Sequence, residues 1–172
     1  VVCDLAAGEV AYRLPAARTL AAGPEGLVVL VDREGIALYG GASREWRKSH
    51  GLYFPRLVAL DEAGGRAVVG AHHEVALVSL ADGRVTARWE APEGFGVTDL
   101  AAAPDFSSFA VGVRSLAAIE AVVWLDAGLG EIAREEHTVT QPSGASPEVA
   151  VFAGPPSRAA AWGQGWYAEL SQ

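Results

Sequence analysis

Two kinds of β-hairpin alternate along this sequence, and their alternation constrains the fold more than any other feature. The first kind is a short apolar strand, a turn that contains Asp and Gly, and a second strand with polar alternation. It occurs at residues 1–10, 78–85 and 123–132, and in a degenerate copy at 36–46. Apolar alternation around a Gly-bearing turn predicts a hairpin, because glycine accepts the positive φ that tight turns require.

The second kind of hairpin lies between copies of the first. It is an apolar strand, a turn of Pro, Asp, Glu or Gly, and a strand of small apolar residues, and it occurs at 19–31, 57–70, 97–112 and 149–163. Aligned on Gly26, Gly65, Ser108 and Ser157, the copies are separated by 39, 43 and 49 residues. A repeat of about 40–50 residues is the period of one four-stranded propeller blade.

The strands of one repeat are labelled A to D. Their order is C–D, then A–B–C–D three times, then A–B–C, with almost no helical periodicity. The sequence therefore predicts an all-β fold, a β-propeller segment of about four four-stranded antiparallel blades. The predicted division is 1–16 for strands C–D of a first blade, 17–54, 55–95 and 96–146 for whole blades, and 147–172 for a partial blade. A β-sandwich with similar strand lengths is the alternative, which the steady alternation of hairpins disfavours.

Two segments resemble the WD-repeat family. Segment 96–112 is similar to the family's unit of strand, Ser-Pro-Asp-Gly-type turn and strand, with the turn at Pro104-Asp105-Phe106-Ser107-Ser108. Segment 1–14 is similar to its Trp-Asp-x-x-Thr-Gly hairpin, with Cys3-Asp4 in place of Trp-Asp, and Trp124-Leu125-Asp126 is a stretched version of the same place. The sequence has no Gly-His dipeptide and no intact Trp-Asp, so the family's Asp–His–Ser/Thr–Trp relay has no residue-by-residue counterpart. Other propellers with Asp/Gly turns, such as the quinoprotein type, share this hairpin.

The resemblance implies a ring of seven or eight blades, which is more than these repeats provide. Blades need neighbours on both sides, and ring closure protects the strand edges. Either the rest of the ring lies in other sequence, in a fragment or a subunit of a larger assembly, or the hairpin at 1–16 closes a four-bladed ring. The first interpretation is favoured because residues 166–170 already have the pattern of a strand C, which 1–5 would duplicate.

The composition narrows the class of partner. The net charge of −8 repels phosphates, so we expect no direct nucleic-acid binding. No apolar run reaches the roughly 18 residues of a membrane-spanning helix, so we expect no membrane insertion. The single cysteine, Cys3, excludes an internal disulfide and a zinc cluster, and it is typical of a reducing compartment, which predicts a cytoplasmic location.

Binding residues concentrate in loops that a rigid scaffold presents. The D–A and B–C loops share one face of a propeller, here called the B–C face, and the A–B and C–D turns share the opposite face, here called the A–B face. Segment 44–54 holds three of the thirteen Lys/Arg residues and three aromatic residues, and such residues often anchor interfaces. The predicted partner-binding residues are Arg44, Trp46, Arg47, Lys48, His50, Tyr53, Phe54, His72 and Phe95. In the alternative interpretation, Trp46 and Phe54 pack between blades while Arg47 and Lys48 are solvated.

The sequence predicts no catalytic, metal-binding or cofactor-binding residues. His72 and His73 are adjacent, and neighbours at a strand end point to opposite faces, so they are not expected to share an ion. There is no Gly-x-Ser-x-Gly nucleophile motif and no Gly-x-x-x-x-Gly-Lys phosphate loop, and Cys3 fits a small core residue. We therefore expect a non-catalytic scaffold or assembly subunit that binds other protein chains through propeller loops. The alternative is a propeller enzyme or a ligand-binding sensor with its site in the central channel.

Overall fold

The alternating hairpins form five antiparallel β-sheets. The computed structural model describes residues 2–4, 9–12, 14–23, 27–33, 35–40, 43–61, 63, 65–138, 148–152, 158–163 and 166–171, with side chains described only between 14 and 138. Within these ranges every regular element is a strand. The described part of the chain accordingly offers no helix with the length and apolar character needed to cross a membrane.

Each sheet is built from strands that are consecutive in the sequence. Sheet I contains β1 (Val2–Asp4) and β2 (Glu9–Tyr12). Sheet II contains β3 (Thr19–Ala22), β4 (Leu27–Asp32), β5 (Gly35–Gly40) and β6 (Ser43–Lys48). Sheet III contains β7 (Leu57–Asp61), β8 (Arg66–Gly70), β9 (Glu74–Ser79) and β10 (Val85–Glu90). Sheet IV contains β11 (Phe95–Ala102), β12 (Ser108–Ser115), β13 (Ile119–Asp126) and β14 (Glu131–Thr138). Sheet V contains β15 (Glu148–Phe152), β16 (Arg158–Gly163) and β17 (Trp166–Ser171).

The first strands of successive sheets lie next to one another. β3 contacts β7, β7 contacts β11, and β11 contacts β15, while the later strands of each sheet follow outward in chain order. Sheets that meet along their first strands radiate from a common axis, as propeller blades do. The predicted all-β propeller segment is confirmed, and the β-sandwich alternative is wrong. The predicted blade boundaries stay a prediction, and β11 begins at Phe95, inside the segment 55–95.

The middle strands of sheets II, III and IV are buried on both faces. In sheet III, Val68 and Leu77 pack toward sheet IV, whereas Ala67, Val69 and Val78 pack toward sheet II. Because side chains alternate across a strand, a strand between two neighbours must be apolar at nearly every position, as β8 and β9 are. Full burial of one such Val or Leu side chain stabilises the fold by about 1.5–3 kcal/mol.

The fourth strand of sheets II, III and IV is the outermost strand and is largely exposed. Exposed and partly buried positions alternate along β10 and along most of β14, whereas the middle strands carry runs of four or more buried residues. The outer strands therefore have the pattern of a half-solvated antiparallel strand.

Aspartates hold the turns of the A–B face. Asp105 Oδ1 accepts hydrogen bonds from the Ser107 hydroxyl at 2.7 Å and the Ser107 backbone N–H at 3.0 Å. Asp82 Oδ1 accepts a bond from the Arg84 backbone N–H at 3.1 Å. These bonds lower the pKa of both carboxyl groups, mainly through the Ser107 hydroxyl for Asp105 and the Arg84 N–H for Asp82. Both aspartates thus have a structural role in their turns.

Candidate partner-binding face

The B–C face is formed by loops that tie one sheet to the next. The loop between β6 and β7 is fixed by two backbone bonds, from His72 N–H to the Tyr53 carbonyl at 2.9 Å and from Arg56 N–H to the Gly70 carbonyl at 3.0 Å. The Arg88 guanidinium adds a bond of 2.7 Å to the His50 carbonyl. Because the loop backbone is bonded at several points, its side chains are presented from a fixed position.

An aromatic ridge stands on this loop and consists of Tyr53 and Phe54. Their rings meet edge to face with centroids 4.8 Å apart, and their side chains are 61% and 47% exposed. The Arg18 guanidinium lies 4.4 Å from the centroid of the Phe54 ring, within the range of a cation–π contact. The Tyr53 ring also lies 5.9 Å from the His72 ring. The ridge thus combines large apolar area with a cation at one end and an imidazole at the other.

A cleft of about 500 Å³ adjoins the ridge between sheets III and IV. Sheet III contributes His72 and His73 from the turn between β8 and β9, with Arg56 from the loop before β7. The sheet IV side is formed by the Gly94–Thr98 segment, by Arg114 and Ser115 at the end of β12, and by Leu116 and Ala118 in the next turn. Both apolar and cationic side chains therefore border one concave site, and each sheet supplies one wall.

The two histidines of the cleft lie side by side. Their ring centroids are 4.1 Å apart, which corrects the expectation that adjacent histidines point to opposite faces. That expectation holds for an extended strand, but both residues occupy the bend between β8 and β9. Within the described part of the chain, no group of three His, Cys, Asp or Glu side chains is placed to hold a metal ion.

Hydrogen bonds from the histidine turn join sheet III to the first strand of sheet IV. Val97 N–H donates to the His72 carbonyl at 2.8 Å, and His73 Nδ1 lies 3.0 Å from the Phe95 carbonyl. Since a carbonyl only accepts, Nδ1 of His73 carries a proton. A Cβ on Gly96 would lie 3.3 Å from Cε1 of His72, so glycine allows the imidazole to rest on the β11 backbone.

The cationic groups of the cleft are held in place by the protein. A guanidinium N–H of Arg56 donates to the Val97 carbonyl, and Arg114 pairs with the buried Glu120 at 3.8 Å. Partial burial, followed by the charges of His73 and Arg56, lowers the pKa of His72. The depressed pKa of His72 thus reflects first its partial burial and then the neighbouring positive charge.

A smaller cavity of about 180 Å³ lies on the same face between sheets II and III. His50 and Arg33 are among the residues that line it, with Leu52 and Tyr53 from the loop before β7. Burial, and then the nearby Arg88 and Lys48 charges, lowers the pKa of His50. His50 therefore belongs to the B–C face, as the sequence predicted, in a recess beside the ridge.

The structure separates the predicted cluster at residues 44–54. Trp46 Nε1 donates to the Leu80 carbonyl of sheet III at 2.7 Å, so Trp46 packs between sheets, as the alternative interpretation had it. Arg47 makes two bonds to the Asp32 carboxylate at 2.8 and 2.9 Å, while Arg44 and Lys48 are exposed on β6. Phe54 does not pack between sheets. Of the predicted residues, Tyr53 and Phe54 form the ridge, His72 and Phe95 line the cleft, and His50 lies in the recess beside the ridge.

Several residues of the face were not singled out from the sequence. Arg18, Arg56 and Leu116 are isolated among small or apolar neighbours, and nothing in their local pattern marks them. The signal that identifies them is positional, because each falls in a D–A or B–C loop once the strands are assigned. Arg114, at the end of β12, borders the same B–C turn as Leu116 and is identified in the same way.

The radial sheets and the concave loop face define the class of protein as a β-propeller segment with a candidate binding surface. No protein-family model matches the sequence, and no curated protein is similar to it at a significant level. Solved propeller structures match in fold alone. BBS1N in complex with ARL6DN has a TM-score of 0.62 at 15% identity, and the match covers 92% of this chain and 54% of that one.

Two further solved structures are similar in fold. Raptor from Chaetomium thermophilum has a TM-score of 0.61 at 18% identity, covering 84% of this chain and 14% of that one. KlHsv2 with loop 6CD replaced by a Gly-Ser linker has a TM-score of 0.57 at 12% identity, covering 89% of this chain and 56% of that one. This chain therefore spans about half of the BBS1N and Hsv2 chains and a smaller share of Raptor.

Proposed function

We propose that this protein is a non-catalytic interaction scaffold that binds another protein chain through its B–C face. The observation that carries this proposal is the distribution of exposed apolar side chains. Five large hydrophobic side chains are exposed among the described residues, and three of them, Tyr53, Phe54 and Leu116, lie on the B–C face. Exposed apolar groups that cluster around a cleft are typical of a protein interface.

The chemistry of the face suits a protein partner. Aromatic and Arg side chains are enriched at the energetic centre of protein interfaces, and Tyr53, Phe54, Phe95 and Arg56 are of these kinds. Their loops are tied by backbone hydrogen bonds, so binding would require little further ordering, which is a principal cost of association. The net charge of −8 supports a protein partner over a nucleic acid.

The fold comparison is consistent with this role by analogy. BBS1N was crystallised in complex with ARL6DN, so a propeller of similar architecture engages a protein partner. Because fold alone does not determine function, the proposal depends on the B–C face of this chain.

A site-specific photocrosslinking experiment tests the proposal. Benzoylphenylalanine is placed at Tyr53 or at Leu116 of the full-length protein, in cells that naturally produce it, and at Ala127 in an exposed turn of the A–B face as control. We expect the same protein adduct from Tyr53 and Leu116 and none from Ala127. Adducts from Ala127 alone, or from none of the three positions, would contradict the proposal.

A matched pair of substitutions tests the energetic contribution of the face. Leu116→Ser removes an exposed apolar side chain from the cleft rim, and Ile132→Ser removes one from the outer strand β14. We expect Leu116→Ser to weaken partner binding about tenfold, as for an interface anchor, and Ile132→Ser to leave it within twofold. The affinity is measured by titration of the crosslinked partner once it is identified, and equal effects would show that the face is not the binding surface.

A further inference from the structure

The side chains that line the cleft between sheets III and IV differ in charge from the chain as a whole. The chain carries a net charge of −8, yet the described residues that line the cleft include two guanidinium groups, those of Arg56 and Arg114, beside the imidazoles of His72 and His73, and no carboxylate. Electrostatic complementarity selects partners of opposite sign and disfavours partners of like sign. A ligand that enters this cleft is therefore expected to be anionic.

The walls of the cleft add a second requirement. Phe95, Val97, Leu116 and Ala118 provide apolar surface beside the cationic groups, and Leu116 is fully exposed at the rim. A volume of about 500 Å³ lies within the range of roughly 300–1,000 Å³ that is common for sites holding a compact ligand. The site is thus large enough for a few side chains, and its chemistry matches a segment with both acidic and apolar residues.

We propose that this cleft binds an acidic peptide segment of the partner protein, with a carboxylate at Arg56 and an adjacent apolar side chain against Phe95 and Leu116. This inference rests on the proposed function and specifies the chemistry of the partner. Arg56 is proposed as the anchor because Arg114 already pairs with Glu120. A guanidinium has five N–H donors, and the bond from Arg56 to the Val97 carbonyl uses one of them.

The arrangement of Arg56 favours recognition of a carboxylate. Its bond to Val97 orients the guanidinium over the seam between the sheets, and a planar guanidinium can present two parallel donors to a carboxylate. His72 lies in the same cleft, and its depressed pKa reflects the positive charge of Arg56 and His73 after the effect of burial. A bound carboxylate would offset the positive charge of Arg56.

A peptide selection on the full-length protein tests the proposal. Random dodecapeptides displayed on phage are selected for binding, and we expect enrichment of Asp or Glu next to Leu, Ile or Phe. The most enriched peptide is synthesised with a fluorophore and titrated by fluorescence anisotropy. We expect Arg56→Gln to weaken its binding about tenfold or more, and Arg84→Gln, at an exposed arginine of the A–B face, to change it less than twofold.

A charge pair at Leu116 provides a second test that does not depend on Arg56. Since Leu116 is fully exposed, neither substitution removes a buried contact. We expect Leu116→Glu to weaken binding of the peptide about threefold to tenfold relative to Leu116→Lys, because the first adds repulsion to an acidic segment and the second adds attraction. Similar affinities for the two variants would overturn the proposal.

The remaining outcomes separate the partner classes. No enrichment of acidic peptides, or an enriched peptide insensitive to Arg56→Gln, overturns the proposal. Binding of phosphatidylserine vesicles that Arg56→Gln abolishes, without any selected acidic peptide, also overturns it and assigns the cleft to an anionic lipid. If crosslinking from Tyr53 and Leu116 succeeds while the acidic peptide fails, the scaffold function stands and only the cleft assignment is lost. If both fail, the proposed function itself is wrong.

Discussion

Phe54 is an exposed aromatic residue with a left-handed backbone. Its φ is +53°, it precedes Pro55, and about half of its side chain faces solvent. A positive φ places Cβ too close to the following carbonyl in any residue other than glycine, at a cost of about 1–2 kcal/mol, and a following proline restricts the backbone further. Phe106 and Leu129 share this left-handed φ but are buried, whereas at Phe54 the strained backbone holds an exposed ring.

Replacement of Phe54 by glycine is expected to separate folding from binding. Phe54→Gly relieves the steric cost of the positive φ, which offsets the greater freedom that glycine gives the unfolded chain, so we expect the free energy of unfolding to change by less than about 1 kcal/mol. Tyr53→Gly, where no positive φ is relieved, is expected to destabilise by about 0.5–1 kcal/mol.

Urea denaturation of the two variants measures this difference, and the crosslinking assay measures binding. Both variants are expected to lose partner binding because both remove an aromatic side chain of the ridge. A larger loss of stability for Phe54→Gly than for Tyr53→Gly would show that the φ of Phe54 is not strained.

Individual site residues were the hardest part of the molecule to predict from the sequence. Tyr53 and Phe54 were found because aromatics stand out in a D–A loop, and His72 because of its imidazole. Arg56 was missed because its partner, the Val97 carbonyl, is distant in sequence and in another sheet. A contact of this kind depends on how sheets meet, which local patterns do not contain.

At the scale of elements, the outer strands join neighbouring sheets through tryptophan. Trp46 on β6 donates from Nε1 to the Leu80 carbonyl of sheet III. Trp89 on β10 donates from Nε1 to Oε2 of Glu131 in sheet IV at 3.4 Å. The two tryptophans are not at equivalent positions of the repeat, since Trp46 lies opposite Leu38 whereas Trp89 lies opposite Val75, two residues further along the outer strand. Each of the two outer strands nevertheless directs one indole N–H to the next sheet.

Gly83 is the contact point for Trp46 and gives a test of this contact between sheets. A Cβ at Gly83 would lie 2.8 Å from Cε3 of Trp46, whereas a Cβ at Gly65 would meet nothing within 4 Å. The φ values are similar, +68° and +62°, so Gly83→Ala and Gly65→Ala carry the same backbone strain. We expect Gly83→Ala to lower the free energy of unfolding by about 1–3 kcal/mol more than Gly65→Ala, the usual cost of overpacking.

Chemical denaturation of the two alanine variants gives this comparison directly. The difference is expected to appear in the midpoint with an unchanged slope, because the same surface is exposed on unfolding. Equal destabilisation would mean that Trp46 does not press on Gly83 in solution.

Hairpins were predictable from the sequence because the turn residues and the period-two alternation are local. The predicted copies at 19–31, 57–70 and 97–112 coincide with the hairpins β3–β4, β7–β8 and β11–β12. The same alternation also assigns side chains to the two faces of a strand, including those of segment 44–48. Trp46 and Arg47 are neighbours on β6 and must point to opposite sides, so they could not belong to one patch.

On the scale of the whole molecule, the burial of a strand depends on its position within its sheet. In sheets II, III and IV the second and third strands are buried, whereas the fourth strands contact solvent. Local opening requires little free energy where few apolar contacts are lost. We therefore expect hydrogen–deuterium exchange followed by mass spectrometry to find slow exchange in β8, β9, β12 and β13 and faster exchange in β6 and β14.

Slow hydrogen exchange in an outer strand of the full-length protein would contradict this prediction. If β14 exchanged as slowly as β13, another element or another chain would have to cover the outer edge of sheet IV. The prediction therefore checks the exposure of the outer strands without any substitution.

The global architecture followed from the repeat because each unit has apolar surface on both faces and can bury it only between two similar units. The sequence could not place the cleft, since its walls come from segments that local pattern does not connect, at Arg56, 72–73 and 94–118. The propeller fold and the B–C face could thus be predicted from the periodicity of the sequence. The shape of the cleft could be described only from the three-dimensional structure.

The two walls of the cleft have a mechanical consequence. They belong to different sheets, which are joined there by the Val97–His72 and His73–Phe95 hydrogen bonds. A ligand bound in the cleft would contact both sheets and hold them together, because the sheets could separate only after the ligand had dissociated. By linkage, a ligand at one hundred times its Kd would add about 2.7 kcal/mol to the stability of the folded chain. Binding of the partner would then also strengthen the contact between sheets III and IV.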